Sequence, residues 1–203
     1  EPDRLEGAPH PRETGVLYGH AAQESDILQA FNSSRLHHAW MLTGPKGVGK
    51  ATLAWRAARF LLATPEDDGG MFAAPAPDTL DIPAENPVSR RMLQLAEPRN
   101  FLLRRGPNDK ETALSQVISV DEVRKMKSFF ALSAADGGRR TAIIDSLDEM
   151  NTAAANALLK LLEEPPANVT LFLVAHQPAK LLPTIRSRCR ELRLTPLTPQ
   201  DLA

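Results

Sequence analysis

Apolar residues recur along the chain with two periods. Helical spacing at Ile27, Leu28, Phe31 and Leu36 predicts a helix within 21–36, and at Leu53, Ala54, Ala57, Phe60 and Leu61 a second over 50–63. A third is expected over 121–132, where Asp121 and Glu122 suit the positive end of a helix. A fourth covers 152–164 and is stopped by Pro165-Pro166, and a short one covers 181–186. Between them lie short apolar runs. The segments 39–43, 141–145 and 169–175 read as buried strands, and 100–105, 116–120 and 191–194 as further strands. The run 169–175 is apolar nearly throughout, as in a parallel sheet covered on both faces. Strands alternating with helices imply βαβ units, hence an α/β fold with a parallel sheet sandwiched by helices.

Two stretches break the pattern. Residues 1–15 are polar and proline-bearing and are expected to form a mobile arm. Residues 64–87 carry Pro65, Pro75, Pro77, Pro83 and Pro87, so a Pro-rich insertion without regular helix is expected near 64–99. The main domain is then 16–196.

Composition narrows the class. The chain has 203 residues, 42% hydrophobic and 24% charged, with a formal net charge of -1. That length buries a real core, and the charge gives no global basic field for nucleic acid. No apolar run approaches the roughly 20 residues that cross a membrane, and the N-terminus lacks the apolar core of a signal peptide. A single cysteine, Cys189, excludes an internal disulfide and suits a cytoplasmic setting.

The sharpest motif is Gly44-Pro45-Lys46-Gly47-Val48-Gly49-Lys50, which fits G-x-x-x-x-G-K between a predicted strand and a predicted helix. Its glycines let backbone N–H groups turn toward phosphate oxygens, the helix N-terminus adds positive potential, and Lys50 adds a point charge. One position departs from the motif. The hydroxyl that should follow the lysine and bind Mg²⁺ is replaced by Ala51. Thr52 lies about 100° further round the helix and cannot take its place. The partner feature is an apolar strand ending in an acid, Ala142-Ile143-Ile144-Asp145. The next residue is Ser146, a poor base for activating water. Asp148 and Glu149 follow closely, but their side chains leave from a different place.

These residues carry a family resemblance. Residues 139–166, RRTAIIDSLDEMNTAAANALLKLLEEPP, with LLPTIRSRC at 181–189, resemble the clamp-loader branch of the AAA+ P-loop ATPases. Leu36-His37-His38-Ala39-Trp40 and the run from Ala135 to Arg140 are also similar to it. The resemblance covers roughly 17–64 and 116–203. It implies a component of the bacterial DNA polymerase III assembly that is not its polymerising subunit. Its partners would be the gamma/tau and delta subunits, with the sliding clamp and primed DNA reached through the assembly. It assigns Arg188 as an arginine finger acting on a neighbouring subunit's ATP. Gly44 through Thr52, with Asp145, would be a nucleotide site, vestigial in part, binding ATP weakly and Mg²⁺ only with it. Residues 197–203 would begin a helical lid. Many relatives hold zinc through four cysteines after the phosphate-loop helix; none stand here, so no zinc is expected. The family's polar sensor falls at Ala175 or His176, and His176 reads as a solvated strand-end histidine.

Three functions follow: a loader subunit that hydrolyses ATP poorly or not at all, on the losses at Ala51 and Ser146; an ATP-hydrolysing gamma/tau-type motor subunit, on Lys50 and Asp145; and a small-molecule kinase, for which no substrate site is evident. Leu158, Leu161, Leu162, Trp40, Trp55 and Cys189 read as packing. Arg104, Arg105, Arg139 and Arg140 read as solvated.

Overall fold

The computed structural model describes residues 3, 4, 6–65, 75–108, 112–132, 138–198 and 201. In chain order the elements are α1 (Ala21–Asn32), β1 (Ala39–Thr43), α2 (Lys50–Ala63), α3 (Pro87–Leu93), β2 (Asn100–Leu103), α4 (Val120–Leu132), β3 (Arg140–Asp145), α5 (Thr152–Glu163), β4 (Val169–Ala175), α6 (Pro183–Arg186) and β5 (Arg190–Arg193). The strands form one parallel sheet in the order β2-β3-β4-β1-β5.

Alternation along the strands splits the core in two. Trp40, Leu42, Ile143, Phe172 and Val174 face α1 and α2, whereas Ala39, Met41, Ala142, Ile144, Leu171 and Leu173 face α4 and α5. Both faces are covered, so the central strands carry no polar alternation and read as uniformly apolar. Leu158, Leu161 and Leu162 of α5 are buried against the sheet, and Trp40 and Trp55 are buried packing residues. Each fully buried side chain of this size contributes about 1.5–3 kcal/mol.

Several elements differ from expectation. α1 ends at Asn32, because Ser34 takes a left-handed φ of 55° and the Arg35 N–H closes on the Ala30 carbonyl (2.9 Å). The segment 116–120 is not a strand; Ile118 makes an isolated parallel bridge to Met150, and the chain turns into α4 at Val120. β2 stops at Leu103, short of Arg105. Within the insertion lies α3, with Pro87 in its first turn and the Asn86 side chain accepting from the Val88 N–H (2.8 Å). A proline in the first helical turn removes no helical hydrogen bond, and Leu80, Val88 and Met92 join the core. The remainder of the insertion at 66–74, the run 135–137 and most of 199–203 lie outside the described residues.

The N-terminal stretch, expected as a mobile arm, is packed against α2 and α3. Its 3-10 turn Pro11–Glu13 is capped by His10, whose Nδ1 accepts from the Arg12 N–H (3.1 Å). Arg59 donates to the Arg12 carbonyl (2.8 Å), and Arg12 Nε to that of Leu93 (3.0 Å). These contacts explain why α2 is buried around most of its circumference, not along one stripe alone.

The arginines read as solvated are instead engaged. Arg140 is buried and donates to the Phe130 carbonyl, Arg139 lies 4.5 Å over the Phe31 ring, Arg105 pairs with Glu149 (3.0 Å), and Arg104 holds Asp3.

Candidate functional site

The phosphate loop leaves the carboxyl edge of the sheet between β1 and α2. Gly44, Gly47 and Gly49 have φ of 141°, 89° and 98°, values that side-chain-bearing residues rarely adopt. Gly44 has a second constraint: a Cβ there would stand 2.2 Å from the Leu194 carbonyl oxygen. Lys50 opens α2, is almost wholly buried, and donates from Nζ to the carbonyls of Gly44 (2.7 Å) and Pro45 (2.5 Å). Burial lowers its pKa to about 8, against the opposing pull of Asp145 and Asp148. His20, which sequence reasoning missed, is buried beside the loop and donates from Nε2 to the Val48 carbonyl (2.7 Å). Nothing in its sequence context marks it; only the return of the chain to the loop reveals the contact.

Asp145 ends β3 within the electrostatic reach of Lys50. Burial, then the charges of Asp3 and Glu149, raise its pKa to about 7. The Ser146 hydroxyl beside it is buried. Asp148 turns elsewhere and caps the end of β4, accepting from the backbone N–H groups of His176 (2.5 Å) and Gln177 (2.8 Å). Glu149 is occupied by Arg105. His176 is not a solvated histidine: it is half-buried, and burial followed by the Lys50 charge lowers its pKa.

The donors at the loop suit an anion better than a bare cation. Three permissive glycines, a helix N-terminus and a buried ammonium match an anion. Around a cation, Ala51 offers a methyl, Thr52 is buried in α2, and burial holds the pKa of Asp145 well above the usual carboxylate range. No group of three or more His, Cys, Asp or Glu side chains capable of holding a metal occurs among the described residues.

Arg188 stands apart. β5 is parallel to β1, with Arg190 level with Trp40 and Arg193 level with Thr43. Arg188 precedes β5 and therefore lies at the amino edge of the sheet, roughly 13 Å of strand or more from Gly44 at about 3.3 Å per residue. It is partly exposed, pairs with Glu163 (2.9 Å) and donates to the Thr184 carbonyl (2.9 Å). Next to it, burial pushes the Cys189 thiol up to about 12, and the side chain packs against the core on the α4 and α5 face.

Residues 19–198 match the family described as DNA polymerase III, delta subunit. The chain is 38% identical over 154 residues to subunit delta' of DNA polymerase III from Pseudomonas aeruginosa, covering 75% of this chain and 41% of that protein. It is 27% identical over 176 residues to subunit delta' from Bacillus subtilis, covering 87% and 47%. The chain thus spans less than half the length of these relatives. A DNA polymerase III gamma subunit-related protein from Thermotoga maritima shares the fold, with a TM-score of 0.57 at 20% identity over 89% of this chain and 47% of that one. No helix among the described residues is long and apolar enough to cross a membrane.

Proposed function

Since the chain belongs to the DNA polymerase III, delta subunit family of clamp-loader proteins, we propose that it is a delta-prime-type subunit. It helps load the sliding clamp on primed DNA, in company with gamma/tau and delta subunits. Its own loop binds ATP weakly and hydrolyses it poorly or not at all, and it supplies Arg188 to the ATP of a neighbour. One observation carries this reading. Arg188 sits at the sheet edge opposite its own phosphate loop, so any phosphate it serves belongs to another chain. The lack of a hydroxyl at Ala51 and of an acid at Ser146 supports the same division of labour. A guanidinium placed on a transferring phosphoryl group is worth about 10³–10⁵ in rate.

The test is a reconstituted loader carrying Arg188→Ala. ATP turnover at the neighbouring site and clamp loading are expected to collapse, with subunit assembly retained. An unchanged turnover removes the finger role.

A gamma/tau-type motor subunit is the second reading, favoured by the retained Lys50 and Asp145. Magnesium-dependent turnover by the isolated protein, abolished by Lys50→Ala, would establish it.

A further inference from the structure

β4 lies between β3 and β1, so a residue leaving its carboxyl end stands between Asp145 and the phosphate loop. Register fixes the place. Val174 is level with Asp145 on one side, and Ala175 is level with Thr43, the residue before Gly44, on the other. His176 comes next. Ile143 of β3 and Val174 of β4 both face α2. Two residues further on, Asp145 and His176 return to that face, where Lys50 opens the helix.

The His176 backbone is provided for and its ring is not. The N–H groups of His176 and Gln177 donate to Asp148 (2.5 and 2.8 Å). The ring Nδ1 is buried and has no hydrogen-bond partner among the described residues. A buried polar atom left unpaired costs free energy until something meets it. The charged groups that act on the ring are Lys50 of α2, Asp148 beyond β3 and Lys46 of the loop. Burial, then Lys50, hold its pKa below the usual histidine range; Lys46 adds to this and Asp148 opposes it. At neutral pH the ring is therefore mostly uncharged.

A phosphate reverses that balance. In phosphate-loop proteins the acid ending the neighbouring strand stands on the side of the β- and γ-phosphates, and His176 lies between that acid and the loop. An anion there offsets Lys50 and Lys46 and offers the ring the acceptor it lacks. An opposite charge within about 4–6 Å moves the titration of a group by about 1–3 pH units, upward for a histidine. We propose that His176 is a proton-linked ligand of the terminal phosphate: as ATP enters the loop, the ring takes up one proton from solvent and donates a hydrogen bond to a γ-phosphate oxygen. A neutral polar side chain at this strand end would bind without the proton. This rests on the nucleotide reading of the loop and is independent of Arg188. Since the ring is more basic with phosphate beside it, affinity is gained as pH falls through the bound pKa and is full below the free one.

Binding of a non-hydrolysable ATP analogue and of ADP to the full-length protein is measured by calorimetry between about pH 5.5 and 7.5, where histidine titrates. Lys50, with its pKa of about 8, keeps its proton there. Buffers of different ionisation enthalpy report the protons taken up. The unaltered protein is expected to take up on the order of half a proton or more per analogue near the middle of that range, and to bind it about tenfold or more tighter at the acid end. ADP, which lacks the terminal phosphate, is expected to show much less of both. His176→Asn keeps a donor and does not titrate, so it is expected to lose the uptake and the pH dependence. Uptake near zero in the unaltered protein, equal uptake with ADP, or uptake retained in His176→Asn overturns the proposal and leaves nucleotide binding standing. No binding at any pH removes the nucleotide reading and the proposal together. The buffer comparison on the unaltered protein decides if the variant fails to fold.

Discussion

The two edges of the sheet treat their cations in opposite ways. At the carboxyl edge, Lys50 is buried and its ammonium is spent on the carbonyls of Gly44 and Pro45. At the amino edge, Arg188 is partly exposed and is held by one carboxylate and one carbonyl near the surface. A charge satisfied internally gives up those contacts when it serves a ligand; a charge in an exposed pair gives up little, since such pairs are worth about 0–1 kcal/mol. Engaging an outside group would therefore cost Arg188 less than it would cost Lys50.

The sharpest way to break this contrast is Arg188→Lys in the assembled loader. Lysine keeps the charge and loses the planar fork, so single-turnover hydrolysis at the neighbouring site is expected to fall by about 10³-fold. The thermal midpoint of this subunit should stay within a degree or two. Arg188 is not structural if rate and stability part in this way.

Next in size is Asp145→Asn. The folded pKa of Asp145 lies near 7, above the ordinary 3.8. Below about pH 4 the group is protonated in both folded and unfolded chains, and nothing is lost. As pH rises toward 7 the unfolded chain ionises first, so the native protein loses stability through that window. The asparagine variant escapes the loss. Denaturant titration should find it more stable than the parent by about 3 kcal/mol at pH 8 and equal to it at pH 3.

Gly44→Ala probes the loop's backbone. Its Cβ would collide with the Leu194 carbonyl at a φ of 141°, and a loss of about 2–3 kcal/mol is expected from strain and overpacking together. An unaltered unfolding midpoint would mean that the loop relaxes freely. The smallest effect belongs to Glu163→Gln. Removing the carboxylate that pairs with Arg188 should cost under about 1 kcal/mol, leaving the stability of the subunit nearly untouched while loosening the arginine.

The sheet and the loop were legible in the sequence for local reasons. β1, β3 and β4 announce themselves because strands covered on both faces carry unbroken apolar runs, and the loop glycines must be glycines wherever φ is positive. What stayed hidden depends on distant partners. Arg104 reads as a surface cation until Asp3, 101 residues earlier, closes on it. The polar character of 1–15 suggests solvent, yet His10 Nε2 and Asp3 Oδ2 stand 3.0 Å apart with both side chains buried. α3 is obscured because proline content alone says nothing of position; Pro87 at a helix start is permissive. Ile118 shows the converse error, since an apolar residue between polar neighbours bridges to Met150 at one point and extends no further. At the site, Ala51 and Ser146 could be read directly as missing chemistry. The raised pKa of Asp145 could not, because it arises from what surrounds the carboxylate.

The carbonyl of Leu194 rests against Gly44, and the N–H of the same residue donates to the Thr43 carbonyl (2.8 Å). The path by which the chain departs from β5 thus shares a wall with the first turn of the loop. A reorientation of the polypeptide beyond Leu194 therefore has a direct route to Gly44, as a latch feels the door it is mounted on.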